Sequence, residues 1–255
     1  VLTQGTMTCY ASHLARIATH FGIGELLLPL RPDPIWLDED EEHEANRTAL
    51  DAMRQAGLLE RDGRLDRDFT VTVETLCFPE LAYIGWLVTD HEPWQLVTAR
   101  KGREAVLAVR VNNGLYLRQI TPDGLGEALL SELIDRDIAS FHPIRLPVSV
   151  FNGEPRTSDG FLMDNDYTVE DEARDTVLEL VKAPNQGGGE FLVQTRDHTG
   201  RTQRNQTTLG YVLGPYGAWL NRLETDKAGD DYLFCAPATD HAITEQLDVL
   251  HHELN

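Results

Sequence analysis

The side chains best able to do chemistry in this sequence are an oxygen-rich run, two spaced histidines, three cysteines and a glycine triplet. Asp164-Asn165-Asp166-Tyr167-Thr168-Val169-Glu170 alternates oxygens in the way that opens a calcium loop. Such a loop needs glycine at its sixth position for the sharp turn and a bidentate glutamate at its twelfth. Val169 and Asp175 stand at those positions, so the run reads as the acidic cap of a helix. His13 and His20 are seven apart and can share a helical face, but no third ligand accompanies them, and His251-His252-Glu253 reads as a polar tail. Gly187-Gly188-Gly189 could approach a ligand closely, yet no Gly-Lys-Ser/Thr follows to hold phosphate; Lys182 to Gly189 reads as a flexible hinge. No Gly-x-Ser-x-Gly elbow and no His-Glu-x-x-His helix occurs. The expectation is a non-enzymatic protein with no catalytic residue, no metal and no cofactor.

The whole-chain balance narrows the partners. An apolar fraction of 41% over 255 residues fills a real core, which excludes a disordered chain. The 42 acidic and 22 basic residues give a formal charge of -20, which repels nucleic acid and anionic membrane surfaces. No apolar run approaches the length of a bilayer span, and the first residues lack the basic-then-apolar pattern of a secretory signal. Cys9, Cys77 and Cys235 are odd in number and far apart, which argues against a disulfide framework and suits a reducing cytoplasm. Each reads as a small buried apolar side chain.

The hydrophobic period predicts the scaffold. Met7 to Tyr10 reads as a short edge strand. Ser12 is placed to cap a helix with Leu14, Ile17, Ala18 and Phe21 on its buried side. The acidic run Asp38 to Glu44 leads into an amphipathic helix carrying Ala45, Ala49, Leu50, Met53 and Ala56, where carboxylates suit the positive end of the helix dipole. A further helix covers Phe69 to Cys77. The period then changes: Tyr83–Val88, Trp94–Ala99, Ala105–Val111 and Leu115–Ile120 are rich in Val, Leu and aromatics and read as four strands of an antiparallel meander, with Asn112-Asn113-Gly114 as a hairpin signal. Thr121, followed by Pro122, is expected to cap a helix bearing Leu125, Ala128, Leu129 and Leu133. Phe141 to Val150 reads as extended, and Thr168 as the cap of a helix bearing Val169, Ala173, Val177 and Leu180. Strands follow over Phe191–Gln194, roughly Arg201–Leu213, Ala218–Leu223 and Tyr232–Cys235, then a closing helix with Ile243, Leu247 and Leu250.

Tyr116-Leu117 leads through Pro122 to one helix, and Tyr232-Leu233 leads through Pro237 to another. The pattern predicts a pseudo-two-fold α+β body: two antiparallel meanders joined edge to edge into a central sheet flanked by helices. One domain over 1–255 divides into halves at 1–140 and 141–255.

Read in order, several of these segments resemble the EspG family, the cytosolic type VII (ESX) secretion-associated chaperones of mycobacteria and related actinobacteria. The similar segments are His13 to Pro29 with Phe21-Gly22-Ile23-Gly24-Glu25-Leu26, Ala56-Gly57-Leu58-Leu59, Gly63-Arg64-Leu65-Asp66, Phe78-Pro79-Glu80, Ala105 to Arg110, Gly188-Gly189-Glu190-Phe191, and Ala236-Pro237-Ala238. The resemblance implies a pseudo-symmetric α+β fold that binds PE–PPE heterodimers at the helical tip of the PPE partner and keeps them soluble for export. It brings no catalytic residue. By order of elements, the family's contacting loop maps to Thr89, Asp90, His91, Glu92 and Pro93, and its second contact region to surfaces near the final helix. Tyr211, Tyr216 and Trp219 are either sheet core or, for at least one of them, an exposed anchor. The free protein either self-associates as a homodimer through the exposed interface or meets its copies only as packing contacts. The alternative to the chaperone is another non-enzymatic acidic protein-interaction module.

Overall fold

The structure, a computed structural model, describes residues 5–60, 62–89, 92–133, 136–151 and 169–254. Its first part runs β1 (Thr6–Tyr10), α1 (Ala11–His20), α2 (Glu39–Gln55), α3 (Arg67–Cys77), β2 (Leu81–Thr89), β3 (Glu92–Lys101), β4 (Glu104–Val111), β5 (Gly114–Gln119) and α4 (Leu125–Leu130). The second part runs β6 (Ile144–Pro147), α5 (Val169–Lys182), β7 (Gly187–Arg196), β8 (Thr202–Arg204), β9 (Leu209–Gly214), β10 (Gly217–Thr225), β11 (Asp231–Pro237) and α6 (Asp240–His252).

The described strands form one sheet in the order β1-β5-β4-β3-β2-β7-β9-β10-β11-β6, with β8 beside β7. The order reads outward from the β2–β7 pair as two four-strand meanders, each closed by one further strand. Each meander is followed by a helix, α4 or α6, and both helices lie on the same face. There Leu125, Leu129, Ile243, Leu247 and Leu250 meet Leu81, Leu96, Leu107, Phe191, Leu209 and Leu220 in a core shared by both halves. On the opposite face α1, α2 and α3 cover Ala82, Ile84, Val97, Ala99, Val106 and Leu117. Farther along that face α5 packs Val177 and Leu180 on Trp219 and Cys235. Alternate residues of β2 thus serve different cores, as the two-residue strand period requires.

Local signals were resolved by the tertiary structure in several places. Ser12 does not cap α1; it lies inside the helix. The hairpin between β4 and β5 does the capping, as the Asn113 carbonyl accepts from Ala11 N at 2.8 Å and Asn113 Oδ1 accepts from Ser12 N at 3.0 Å. The acidic run forms the first turns of α2 themselves: Asp38 Oδ1 accepts from Glu41 N at 2.9 Å and Asp38 N donates to Glu41 Oε2 at 3.0 Å, a reciprocal capping box. Thr121 and Pro122 form a turn ahead of α4, which starts at Leu125 with Gly124 as an uncapped N-cap. The extended segment over 141–150 shrinks to β6 followed by a 3₁₀ turn at Val148–Phe151. The strand over 201–213 divides into β8 and β9. Thr168 and most of the calcium-like run lie outside the described residues.

The glycine triplet overturns the hinge expectation. Gly187, Gly188 and Gly189 begin β7, the strand between β2 and β9, and are paired on both sides. They have φ of +148°, +123° and +157°, and a Cβ on Gly188 or Gly189 would overlap the carbonyl oxygen of Tyr211 or Trp86. Gly85 is needed for another reason: the directly opposite Phe191 ring lies 2.9 Å from where its Cβ would stand. Gly188→Ala is expected to destabilise by about 3 kcal/mol or more, because backbone has to move in the centre of the sheet. Gly102→Ala, at φ +59° with open space around it, is expected to lose only about 1–2 kcal/mol. Urea unfolding of both variants checks this, and equal losses would refute the role assigned to the triplet.

Candidate partner-binding site at one end of the sheet

The β2–β3 hairpin closes with Thr89 opposite Glu92, Val88 opposite Pro93 and Leu87 opposite Trp94. Trp94 Nε1 donates to Thr89 Oγ1 at 3.0 Å, fixing the indole across the hairpin. Thr89 also faces Gly187, which in turn faces Leu213, so the β9–β10 turn lies at the same sheet end. Tyr216 stands in that turn, half exposed, and its hydroxyl donates to Glu179 Oε1 at 3.0 Å. That bond to a carboxylate raises the phenol's pKa.

Between the two turns is a groove of about 530 Å³. Leu87, Trp94, Tyr211 and Leu213 give it an apolar floor, and Arg136 and Asp137 stand in its wall. The wall is part of the segment that joins the two meanders. It is stitched to β10, as Ala218 N donates to the Asp137 carbonyl at 2.6 Å and Ala139 N to the Ala218 carbonyl at 3.1 Å. Arg136, its side chain 10% exposed, donates to the Leu133 carbonyl, to the Ala238 carbonyl at 3.4 Å, and to Asp240 at the start of α6. One guanidinium therefore couples the groove wall to the last helix. Burial raises the Tyr211 phenol's pKa, opposed by the positive charge of Arg136.

The structure thus brings Thr89, Glu92, Pro93 and Tyr216 to one end of the molecule. Asp90 and His91 lie outside the described residues. Tyr211 and Trp219 are not exposed anchors: they are 3% and 5% exposed. Register explains their separation, because Tyr211 pairs with Leu220 and Trp219 with Val212, which places them on opposite faces. Tyr211 packs beside Phe191, ring centroids 5.9 Å apart, and Trp219 joins Val177, Leu180 and Cys235. Sequence reasoning missed Leu87, Trp94 and Arg136 as groove residues. The hairpin register could have found the first two, whereas the contact of Arg136 with Asp240 spans 104 positions and leaves no local signal.

The remaining reactive groups are structural. His13 and His20 set their rings edge-on to Tyr10 and Phe21, with centroids 5.1 and 5.0 Å apart. Among the described residues no group of three or more His, Cys, Asp or Glu side chains is placed to hold a metal ion. Burial pushes the pKa of Cys9, Cys77 and Cys235 up to about 12, and all three are free thiols.

The EspG family model matches residues 11–248, which include both meanders, α1 to α5 and most of α6. The chain belongs to the EspG family. A solved chain from "Structure of the Mycobacterium tuberculosis type VII secretion system chaperone EspG5 in complex with PE25-PPE41 dimer" shares the fold. Its TM-score is 0.69 at 15% identity, covering 98% of this chain and 97% of that one. No curated protein sequence matches. Cys77 and Cys235 are buried and Cys9 is half-buried. At about pH 8 only about one in ten thousand of each would be thiolate, so Ellman's reagent should react slowly with the native protein and titrate three thiols after unfolding. Rapid native reaction of all three would contradict the burial of Cys77 and Cys235.

Proposed function

We propose that this EspG-family chain is a type VII secretion chaperone that binds a PE–PPE heterodimer and holds it soluble for export. In this reading the β2–β3 hairpin tip and the groove beside it receive the helical tip of the PPE subunit. The observation that carries the reading is the family match over nearly the whole chain, joined to a groove at the sheet end where the hairpin tip meets the α6 side. The groove has the anatomy of a partner surface, with an apolar floor of Leu87, Trp94 and Leu213 and a polar rim of Thr89, Arg136 and Asp137, and Glu92 stands opposite Thr89 at the hairpin tip. A helix tip with exposed apolar side chains would bury them there. The work is sequestration of apolar surface, which requires shape and area and no reacting group. A reducing cytoplasm, where such a chaperone meets its substrate before export, suits three free cysteines.

Co-expression with the PE–PPE pairs encoded beside the gene, followed by size-exclusion chromatography with light scattering, tests the assignment. A 1:1:1 complex is expected with one of the pairs. Glu92→Arg at the exposed tip and Trp94→Ala in the groove are each expected to weaken that complex about tenfold while the variant stays folded. A folded PE–PPE pair that never co-elutes with the chain would overturn the partner and leave the acidic interaction module. A complex indifferent to both substitutions would move the interface elsewhere.

A further inference from the structure

The segment between α1 and α2 carries the most exposed large apolar side chain among the described residues, Trp36, with a second exposed one, Ile35, directly before it. Trp36 is 88% and Ile35 70% exposed. This is a held loop. Arg110, its side chain only 10% exposed, donates to the Asn112 carbonyl at 2.6 Å, to the carbonyls of Pro29 and Arg31, and to Asp33 Oδ1 at 2.7 Å. On the other side the Asp38–Glu41 capping box fixes the start of α2. Trp36 is therefore presented between two anchored points, and much of the ordering cost of engaging it has been met in the free protein.

Its setting selects the partner. From Pro32 to Asn46 the chain has seven carboxylates and no Lys or Arg: Asp33, Asp38, Glu39, Asp40, Glu41, Glu42 and Glu44. All seven residues are exposed. The cations around it are already engaged: Arg16 by Glu42 and by Asn46 at 2.9 Å, Arg31 by Glu25 at 2.9 Å, Arg47 by Glu44 and Arg110 by Asp33. Beside Ile35 a groove of about 600 Å³ runs along α1 and α2. A second copy of the chain, or an anionic surface, brings like charge to a protein of net charge -20. A cationic segment brings the opposite charge.

We infer that Ile35, Trp36 and the start of α2 form a second docking surface, for a Lys/Arg-rich protein segment whose apolar residue seats on Trp36. The indole supplies apolar contact and a cation–π face, and the surrounding carboxylates raise the encounter rate and orient the cationic residues. The surface lies on the α1–α3 side of the sheet, whereas the groove beside the β2–β3 hairpin lies on the α4–α6 side, so this inference stands apart from the assignment of a PE–PPE partner.

Two labelled peptides of about twelve residues test it by fluorescence anisotropy at low ionic strength: alternating Arg and Leu, and alternating Arg and Gly with the same charge. The Arg–Leu peptide is expected to bind saturably and more tightly. Trp36→Ala, on an exposed side chain, is expected to weaken Arg–Leu binding about tenfold and to bring it down to the Arg–Gly level. Glu39→Gln with Asp40→Asn is expected to weaken both peptides and to flatten their salt dependence. Arg–Leu binding unchanged by Trp36→Ala would reduce the effect to bulk charge and overturn the inference, as would the lack of saturable binding.

Discussion

Nine residue pairs join β2 to β7, and that seam can close only because β7 begins with residues that have no side chain. Gly188 and Gly189 take backbone angles that L side chains rarely adopt, and the places where their Cβ atoms would stand are filled by carbonyl oxygens of β9 and β2. Two residues on, Phe191 reclaims the lost apolar area by laying its ring over Gly85 on the facing strand. Burying such a ring is worth up to about 3 kcal/mol, a substantial share of the stability of one domain. Everything outward of the seam, eight more strands on the main path, inherits its register from it.

The helices make this joint obligatory. On the α4–α6 face a single core spans both meanders, with Tyr83 and Leu96 from one half touching the same cluster as Val193 and Leu220 from the other. On the opposite face the cores are separate, one under α1–α3 and one under α5. Neither meander could keep its α4–α6 face dry alone, because the helix that follows one is packed against the helix that follows the other. The halves are therefore repeats in topology but a single unit in packing. The segment between them is stitched onto β10 and pinned to α6 by Arg136, so the groove wall at the sheet end is a by-product of joining the halves.

Element type was legible in this sequence where segments rich in Val, Leu and aromatics lay between turn signals, as in β2 through β5, and where apolar residues recurred at the helical period, as in α6. What failed to show was chemistry decided by distant residues. Gly187 to Gly189 carries the local mark of a hinge, and only the presence of a strand on each side makes it the tightest part of the sheet. Ser12 has the right residue type for a cap, yet Asn113 performs the task from 101 positions away. Of the candidate binding residues, the hairpin tip followed from element order. Tyr211 and Trp219 needed the β9–β10 register to reveal that they point to opposite cores.

The same reasoning explains why catalytic motifs gave no purchase on this protein while ordered structural segments did. An enzyme is constrained by a few groups that must meet reacting atoms, so its identity concentrates in short motifs. A protein that works through a binding surface is constrained by the shape of its scaffold, so its identity is spread over caps, turns and sheet pairings. Here those include the Asp38 box, the Asn112–Asn113 hairpin and the β7 glycines. Surface residues such as Glu92 and Trp36 are exposed, and no core depends on them. Recognition by fold and discrimination by surface are thus separable in this molecule, and the second is where its own specificity must be sought.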